Sequence, residues 1–339
     1  MNLVKYITRR ILFLLILIIG VATMVFILSH MVPSDPVVAN LSQRNMSNPE
    51  LVEIFRNKWG LDKPLYVQYL LHIKSLLKGD LGVSIRTNRP IIADISQYLP
   101  ATIELAFFSM IIASIFGILF GIISATKRNS AIDQILRTIS VVGVSIPSFW
   151  FALIMLFVFY YKLGWLPGPG RINSFIEFPA SIINFYVFGS ILQGNWVVAA
   201  DSFKHLILPS IVLGAFSMGL IARTTRSNLL EVISTDYIRT ARAKGLSEGL
   251  IIVRHALGNA LIPVITVIGI GLSNLLGGMV LVETIFAWPG IGQYAFQSVI
   301  TLDFPAITAV ALLIAINYLF VNLVIDILYG VIDPRVRFS

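Results

Sequence analysis

The stretch STDYIRTARAKGLSEG, residues 234–249, decides how this chain is read. In a sequence that is 57% hydrophobic and 12% charged, Arg239, Arg242 and Lys244 fall within six residues of one another. Thr235 or Asp236 is placed to cap a helix of good helix formers, and Gly245 is placed to end it. At 3.6 residues per turn, Tyr237, Ile238, Ala241 and Gly245 share one side, while Arg239, Arg242 and Lys244 spread around the rest. Ala241, Ala243 and Gly245 are small enough for a groove or a second backbone to come close. A helix that rests on anionic headgroups needs an apolar stripe to sink into the acyl boundary, and no Trp, Phe or Leu supplies one here. The expected partner of this helix is protein.

Working outward, the mean hydropathy of +0.86 over 339 residues is more than a water-facing surface carries. The principal solvent is lipid. The chain has no cysteine, which excludes disulfides, thiolate metal sites and a cysteine nucleophile. The net charge of +8 does not form the long basic stripe of a nucleic-acid binder; the cations cluster just beyond apolar segments, so no nucleic acid is expected.

A bilayer core about 30 Å thick takes roughly 20 apolar residues per helix. Six runs free of Asp, Glu, Lys and Arg meet that length: Ile11 to Ser29, Leu105 to Thr126, Thr138 to Tyr161, His205 to Ala222, Ala256 to Val282 and Phe304 to Ile325. The first follows Lys5, Arg9 and Arg10, yet it is long for a signal peptide and has no small-residue cleavage site, so it is read as a retained helix. With six crossings, the basic clusters at Lys5 to Arg10, Lys127 to Arg137, Arg223 to Arg254 and Arg335 to Arg337 all fall on one side, the cytoplasmic one. Phe178 to Ala200 is also uncharged, but Pro179, Asn184, Gly189, Gln193, Gly194 and Asn195 interrupt it, and counting it as a span would move the 223–254 cations outside. It is read as an extracytoplasmic or interfacial loop.

The expected fold is an all-α, multi-pass protein of the cell (plasma) membrane with both termini cytoplasmic. Its expected divisions are 1–32 for the N-terminus and first helix, 33–100 for a small extracytoplasmic helical cap, 101–330 for a core of helices two to six, and 331–339 for a tail. Within the cap, Ser47 or Asn48 is a candidate N-cap, Pro49 opens a first turn, and Gly79 stops a second amphipathic helix. Pro147 and Pro209 can bend their helices. Ser145, Ser148 and Asn274 are polar groups in apolar spans and are candidates for the lining of a translocation path, against the plainer reading of close helix packing. His30, His72, His205 and His255 lack metal-ligand spacing, and no metal site is expected.

DYIRTARAKGL followed by RHALGNALIPVITVIG resembles the cytoplasmic loop of type I ATP-binding-cassette (ABC) importer permeases, and the first permease of the dipeptide, oligopeptide and nickel group in particular. The likeness runs the length of the chain: TRRILFLL, GLDKPLYVQYL, GDLGVSIRTNRPI, LPATIELA, SIPSFWFAL, HLILPSIVLG, VETIFAWPGIGQ and VNLVIDILYGVIDPRVR follow in the family's order. The resemblance implies a coupling helix at about 235–245 that sits in a groove of an ATPase subunit, with Asp236, Tyr237, Arg239, Thr240, Ala241, Arg242, Lys244 and Gly245 as its contact residues. Arg239, Thr240 and Ala241 fall at the superfamily's Glu-Ala-Ala positions and Gly245 at its glycine. The superfamily's later proline is replaced by Gly258, and Pro263 follows five residues on.

The resemblance further implies a permease subunit that forms half of a path for peptides or a related small solute. Its implied partners are a second homologous permease subunit, two ATP-binding subunits and an extracytoplasmic substrate-binding protein. The chain is not expected to be an enzyme or to carry a cofactor: it has no G-x-x-x-x-G-K-[ST] run, so ATP and Mg belong to the partner subunits. H-E-x-x-H and G-x-S-x-G are absent as well. The competing reading is an ion-coupled secondary transporter, which needs ionisable groups inside the membrane and commonly an internal repeat; the six runs hold only His205, at an edge.

Overall fold

The computed structural model describes residues 16–28, 31, 48–59, 62–176, 184–277 and 279–332. Residues 11–15 and 29 of the expected first span, the basic residues at 5–10 and 335–337 and the 331–339 tail beyond 332 lie outside the described residues. Every described segment with a regular fold is helical.

The first helix, α1, covers Ile16–Leu28. Helices α2 (Pro49–Trp59) and α3 (Leu65–Leu77) follow it, within the stretch expected as a helical cap. Asn48 Oδ1 accepts the Glu50 N–H at 3.0 Å, so Asn48 is the cap, with Pro49 at the first helical position. Helix α3 leans on the first helix through the Thr23 and Tyr69 hydroxyls, 2.8 Å apart, and through the Phe26 and Tyr69 rings, edge to face at 5.3 Å.

Helix α4 runs Ile91–Thr126 and α8 runs Trp196–Ile233, of 36 and 38 residues. At 1.5 Å per residue each is more than 50 Å long, so both overshoot the hydrocarbon layer. They lie against each other as the spine of the bundle. Gly117 and Gly121 of GILFG let the backbones approach: a Cβ at Gly117 would stand 2.7 Å from Ile221 Cγ2, and one at Gly121 2.5 Å from Thr225 Cβ. Around this spine the core gathers Leu105, Met110, Leu206, Leu213, Val264, Leu275 and Trp288.

The expected 138–161 span is two helices, α5 (Ala131–Ser145) and α6 (Ser148–Lys162), bent by 108°. Pro147 pushes Ile146 out of the helical region, to φ −73° and ψ 129°, which ends α5. After α7 (Tyr186–Leu192) and α8 come α9 (Asp236–Ala243), α10 (Glu248–Ala260), α11 (Ile262–Leu276), α12 (Val280–Ile285), α13 (Ile291–Ile300) and α14 (Phe304–Ile332). Helices α10 and α11 bend by 55° just before Pro263. Among the described residues, three helices are long and apolar enough to cross a membrane, α4, α8 and α14 over Phe304–Ile325, and five spans result when each bent pair counts as one. The sixth expected span is the one whose described part is α1.

Several boundaries differ from expectation: the third span starts at Ala131 rather than Thr138, the fourth at Trp196 rather than His205 and the fifth at Glu248 rather than Ala256. The second span does not begin at Leu105: α4 starts at Ile91, and position 100 falls inside it. The fourth does not stop at Ala222, because α8 continues through Arg223 and Arg226 to Ile233. Between 178 and 200 the described residues form no separate crossing helix: α7 ends at Leu192, the chain breaks at Gln193–Asn195, and Trp196 to Ala200, expected as loop, are the start of α8.

Candidate functional site: helix α9 and its two flanking regions

Helix α9 starts without the expected side-chain cap. Thr235 Oγ1 donates back to the Val232 carbonyl at 2.6 Å instead, and Asp236 is the first helical residue. Its end is as expected. Gly245 has φ +77°, Gly245 N–H bonds to Arg242 O at 2.9 Å and Leu246 N–H to Ala241 O at 3.4 Å, the Schellman pattern that glycine favours. Nothing lies within 4 Å of a Cβ built on Gly245, so backbone conformation, and not crowding within this chain, requires a glycine there.

The helix has an inner and an outer face. Ile238 is fully buried and Ala241 nearly so, among Leu229, Ile251, Ala256 and Ala260. Tyr237 pins the helix from behind: its hydroxyl accepts from Asn259 Nδ2 at 2.8 Å and donates to the His255 carbonyl at 3.3 Å. Asp236, Arg239, Thr240, Arg242, Lys244 and Gly245 are exposed. Of the eight coupling candidates, the structure therefore turns Ala241 inward and gives Tyr237 an anchoring contact. Sequence reasoning passed over Asn259; its only signal was a lone amide beside the helical start of RHALGNAL.

Two of the three cations are locally balanced. Arg239 Nη1 lies 3.2 Å from Asp236 Oδ1, and Arg242 Nε 2.6 Å from Glu248 Oε1. The Arg242 contact raises the guanidinium pKa above its ordinary value and lowers that of Glu248, chiefly by direct hydrogen bonding. Exposed pairs of this kind add little stability. Their effect is to hold the guanidinium groups in place on the outer face.

Behind α9, Asp133 ties α5 to α8 with a two-pronged pair, Arg226 Nε and Nη2 each 2.9 Å from a carboxylate oxygen, and Ser124 of α4 donates to it as well. Ser145 lines a cavity of about 440 Å³ beside this pair, whereas Asn274 lines a separate one of about 310 Å³ with Phe216, Ser217 and Met279. Ser148 opens α6 at the bend and lines neither, so the three path candidates are not brought together.

At the opposite end of the spine, buried carboxylates fasten the connecting segments to α4. Glu104 Oε2 accepts from Arg171 Nη2 at 2.7 Å and from Tyr186 N–H at 3.1 Å, and Oε1 accepts from Val187 and Phe188 N–H at 2.8 and 3.1 Å. The Arg171 guanidinium stacks 3.7 Å above the Tyr186 ring and 5.3 Å from that of Trp288, whose Nε1 donates to Ala101 O at 2.9 Å. Glu283 accepts from Thr102 Oγ1 at 3.0 Å and from Gln293 N–H at 2.8 Å, and burial raises its carboxyl pKa. Asp303 accepts from Ser84 Oγ at 2.5 Å. WPGIGQ thus folds back onto α4, with Trp288 and Ile291 buried in the fold.

Comparison with known proteins follows the same lines. The family described as "Binding-protein-dependent transport system inner membrane component" matches residues 117–338, and its N-terminal companion, "Binding-prot-dependent transport system membrane comp, N-term", matches residues 3–106. The dipeptide transport system permease protein DppB of Alkalihalophilus pseudofirmus is 46% identical over 98% of this chain and 99% of its own. The probable D,D-dipeptide transport system permease protein DdpB of Escherichia coli is 44% identical over 95% and 94%. The glutathione transport system permease protein GsiC, also of Escherichia coli, is 38% identical over 99% of both. Among solved structures, the MetNI methionine ABC transporter in inward-facing conformations matches with a TM-score of 0.54 at 19% identity, over 72% of this chain and 98% of that one, a likeness of fold. Family matches along nearly the whole sequence and the shared helical fold lead to one conclusion: the chain belongs to the binding-protein-dependent transport system inner membrane components and is a membrane-spanning permease subunit of an ABC importer.

Proposed function

We propose that this subunit carries dipeptides or similarly short peptides across the plasma membrane as one half of a path completed by a second homologous permease. In this reading α9 docks on one of two ATPase subunits at the cytoplasmic side, and an extracytoplasmic binding protein delivers cargo to the end held by Glu104 and Glu283. The observation that carries the reading is α9 itself, a short helix pinned on its inner face by Ile238, Ala241 and Tyr237 and polar on its outer face. Such a helix passes a push from outside to α8 and α10 as a rigid body. The dipeptide, D,D-dipeptide and glutathione names of the relatives support a short-peptide cargo.

The distribution of lysines and arginines in the sequence supports an orientation with the α9 end and both termini in the cytoplasm and with α2 and α3 as a cap on the other side. The work comes from ATP hydrolysed by the partner subunits. Closure of the two ATPases draws the coupling helices together, the α4–α8 spine transmits the movement, and the path opens alternately to the two sides.

The test is mild extraction of the tagged chain from its own membranes, with identification of what accompanies it and measurement of ATP hydrolysis. Recovery of a second permease and ATPase subunits, with the ATPases lost when Arg239 to Gly245 is altered, supports the reading. Gly245→Asp is expected to insert normally and to abolish ATP-driven uptake, because a carboxylate enters the docking groove. A chain that purifies alone, without ATPase activity, under conditions that keep other importers intact would return the ion-coupled transporter to first place. The buried carboxylates now on view do not favour that alternative, since Glu104 and Glu283 are occupied by fixed donors of the protein.

A further inference from the structure

The cavity of about 440 Å³ between α4, α5 and α8 has a charge distribution that the transport mechanism does not use. Its volume lies within the range of small-molecule sites, about 300–1,000 Å³. The lining is cationic at Arg137 on α5 and at Arg223 and Arg226 on α8, and apolar at Phe120 on α4 and, one and two turns beyond Arg137, at Val141 and Val144 on α5. Serine residues, Ser140 and Ser227 among others, complete the lining. Asp133 neutralises Arg226 alone, through both of its oxygens. Among the described residues, neither Arg137 nor Arg223 has a carboxylate within ion-pair distance, and both are exposed.

Two uncompensated guanidinium groups in one lining with valines and a phenylalanine make a site that is half headgroup and half hydrocarbon in character. A small soluble anion would match the arginines but leave the apolar part unfilled. A carboxylate from another protein would have to bring an apolar group into the membrane beside it. A phospholipid supplies both parts in one molecule: a phosphate for the fork geometry of arginine and an acyl chain for the valines. Basic pockets between membrane helices on the cytoplasmic side are a general setting for anionic headgroups. We propose that this cavity binds the phosphate of an anionic phospholipid, with Arg137 and Arg223 as its principal donors and Phe120, Val141 and Val144 against the first part of the acyl chain. A bound lipid would tie α5 to α8 beside the Asp133–Arg226 pair, one turn from the close contact of Gly219 with Ser140. Ser145, read from sequence as a path residue, then lines the lipid site and not the cargo route.

The test uses the intact importer, prepared in detergent micelles with phosphatidylglycerol or phosphatidylcholine, passed through delipidating gel filtration and weighed by native mass spectrometry. The wild-type complex is expected to retain phosphatidylglycerol in preference to phosphatidylcholine. Arg137→Gln with Arg223→Gln is expected to weaken that preference about thirtyfold, on the basis of two basic residues near an anionic surface. Arg137→Lys with Arg223→Lys, which keeps the charge, should retain most of it. Subunit composition of each variant, read from the same spectra, guards against a folding defect. Equal retention in the wild type and the glutamine variant overturns the proposal. Displacement of phosphatidylglycerol by millimolar inorganic phosphate assigns the cavity to a soluble anion and overturns the lipid. Loss of a partner subunit in the glutamine variant alone assigns the arginines to a subunit interface, with the same consequence.

Discussion

At Glu104 a fully buried carboxylate receives one guanidinium and three backbone N–H groups, so its removal leaves Arg171 charged and without a counter-ion inside the protein. Breaking one side of a buried pair costs about 3–5 kcal/mol. Glu104→Ala is therefore expected to lower the thermal stability of the purified importer by about that much. Glu104→Ala combined with Arg171→Leu should lose less than the sum of the single changes; simple additivity of the three melting curves would remove the pair from the account. None of this was legible in the sequence, because Arg171 lies 67 positions away and the donors at 186–188 are backbone groups of no particular residue type. Gly245 is the opposite case, readable from its place after a short polar helix. Its φ of +77° adds a finer expectation. Asn and Asp both enter the left-handed region readily, whereas a β-branched residue does not. Substrate-stimulated ATP hydrolysis should survive Gly245→Asn and fail in Gly245→Asp and Gly245→Val, from charge in the first failure and backbone strain in the second. Equal loss in all three would mean that any side chain at 245 is excluded.

Among the elements, α9 and the break between α5 and α6 were readable in sequence because their causes are local: a run of helix formers closed by Gly245 for one, Pro147 for the other, although the cap expected at Thr235 or Asp236 did not form. Helices α4 and α8 were found but cut short, since a search for runs free of charge stops at Glu104 and at Arg223. Both helices continue, because Glu104 is paired inside the fold and Arg226 is held by Asp133. The crossing of α4 on α8 depends on glycines with no room for a side chain. Gly121→Ala places a methyl group 2.5 Å from Thr225 Cβ and is expected to cost about 1–3 kcal/mol by overpacking. Gly258→Ala is the matched control, the same chemical change on α10 with nothing within 4 Å of the new Cβ, and it should be neutral or slightly stabilising. Melting temperatures of the two variants in the same detergent decide the matter, and a Gly121→Ala importer as stable as the control would contradict the close crossing.

Across the whole molecule, two long helices join an end fastened by buried carboxylates to an end that carries one pinned, outward-facing polar helix. Helices α4 and α8 are each unbroken, and among the described residues the sharply bent pairs of candidate spans are α5–α6 and α10–α11. The central claim is that the outer face of α9 is the contact with the ATPase. The chain contains no cysteine, so single cysteines can be placed on either face without background. The measurement is disulfide or bismaleimide capture in the assembled importer from Thr240→Cys and Lys244→Cys on the outer face, with Ile238→Cys on the inner. The account predicts that the two outer positions capture an ATPase subunit and that Ile238→Cys does not; capture from Ile238→Cys alone, or none from either outer position in a complex that retains its ATPases, would contradict it.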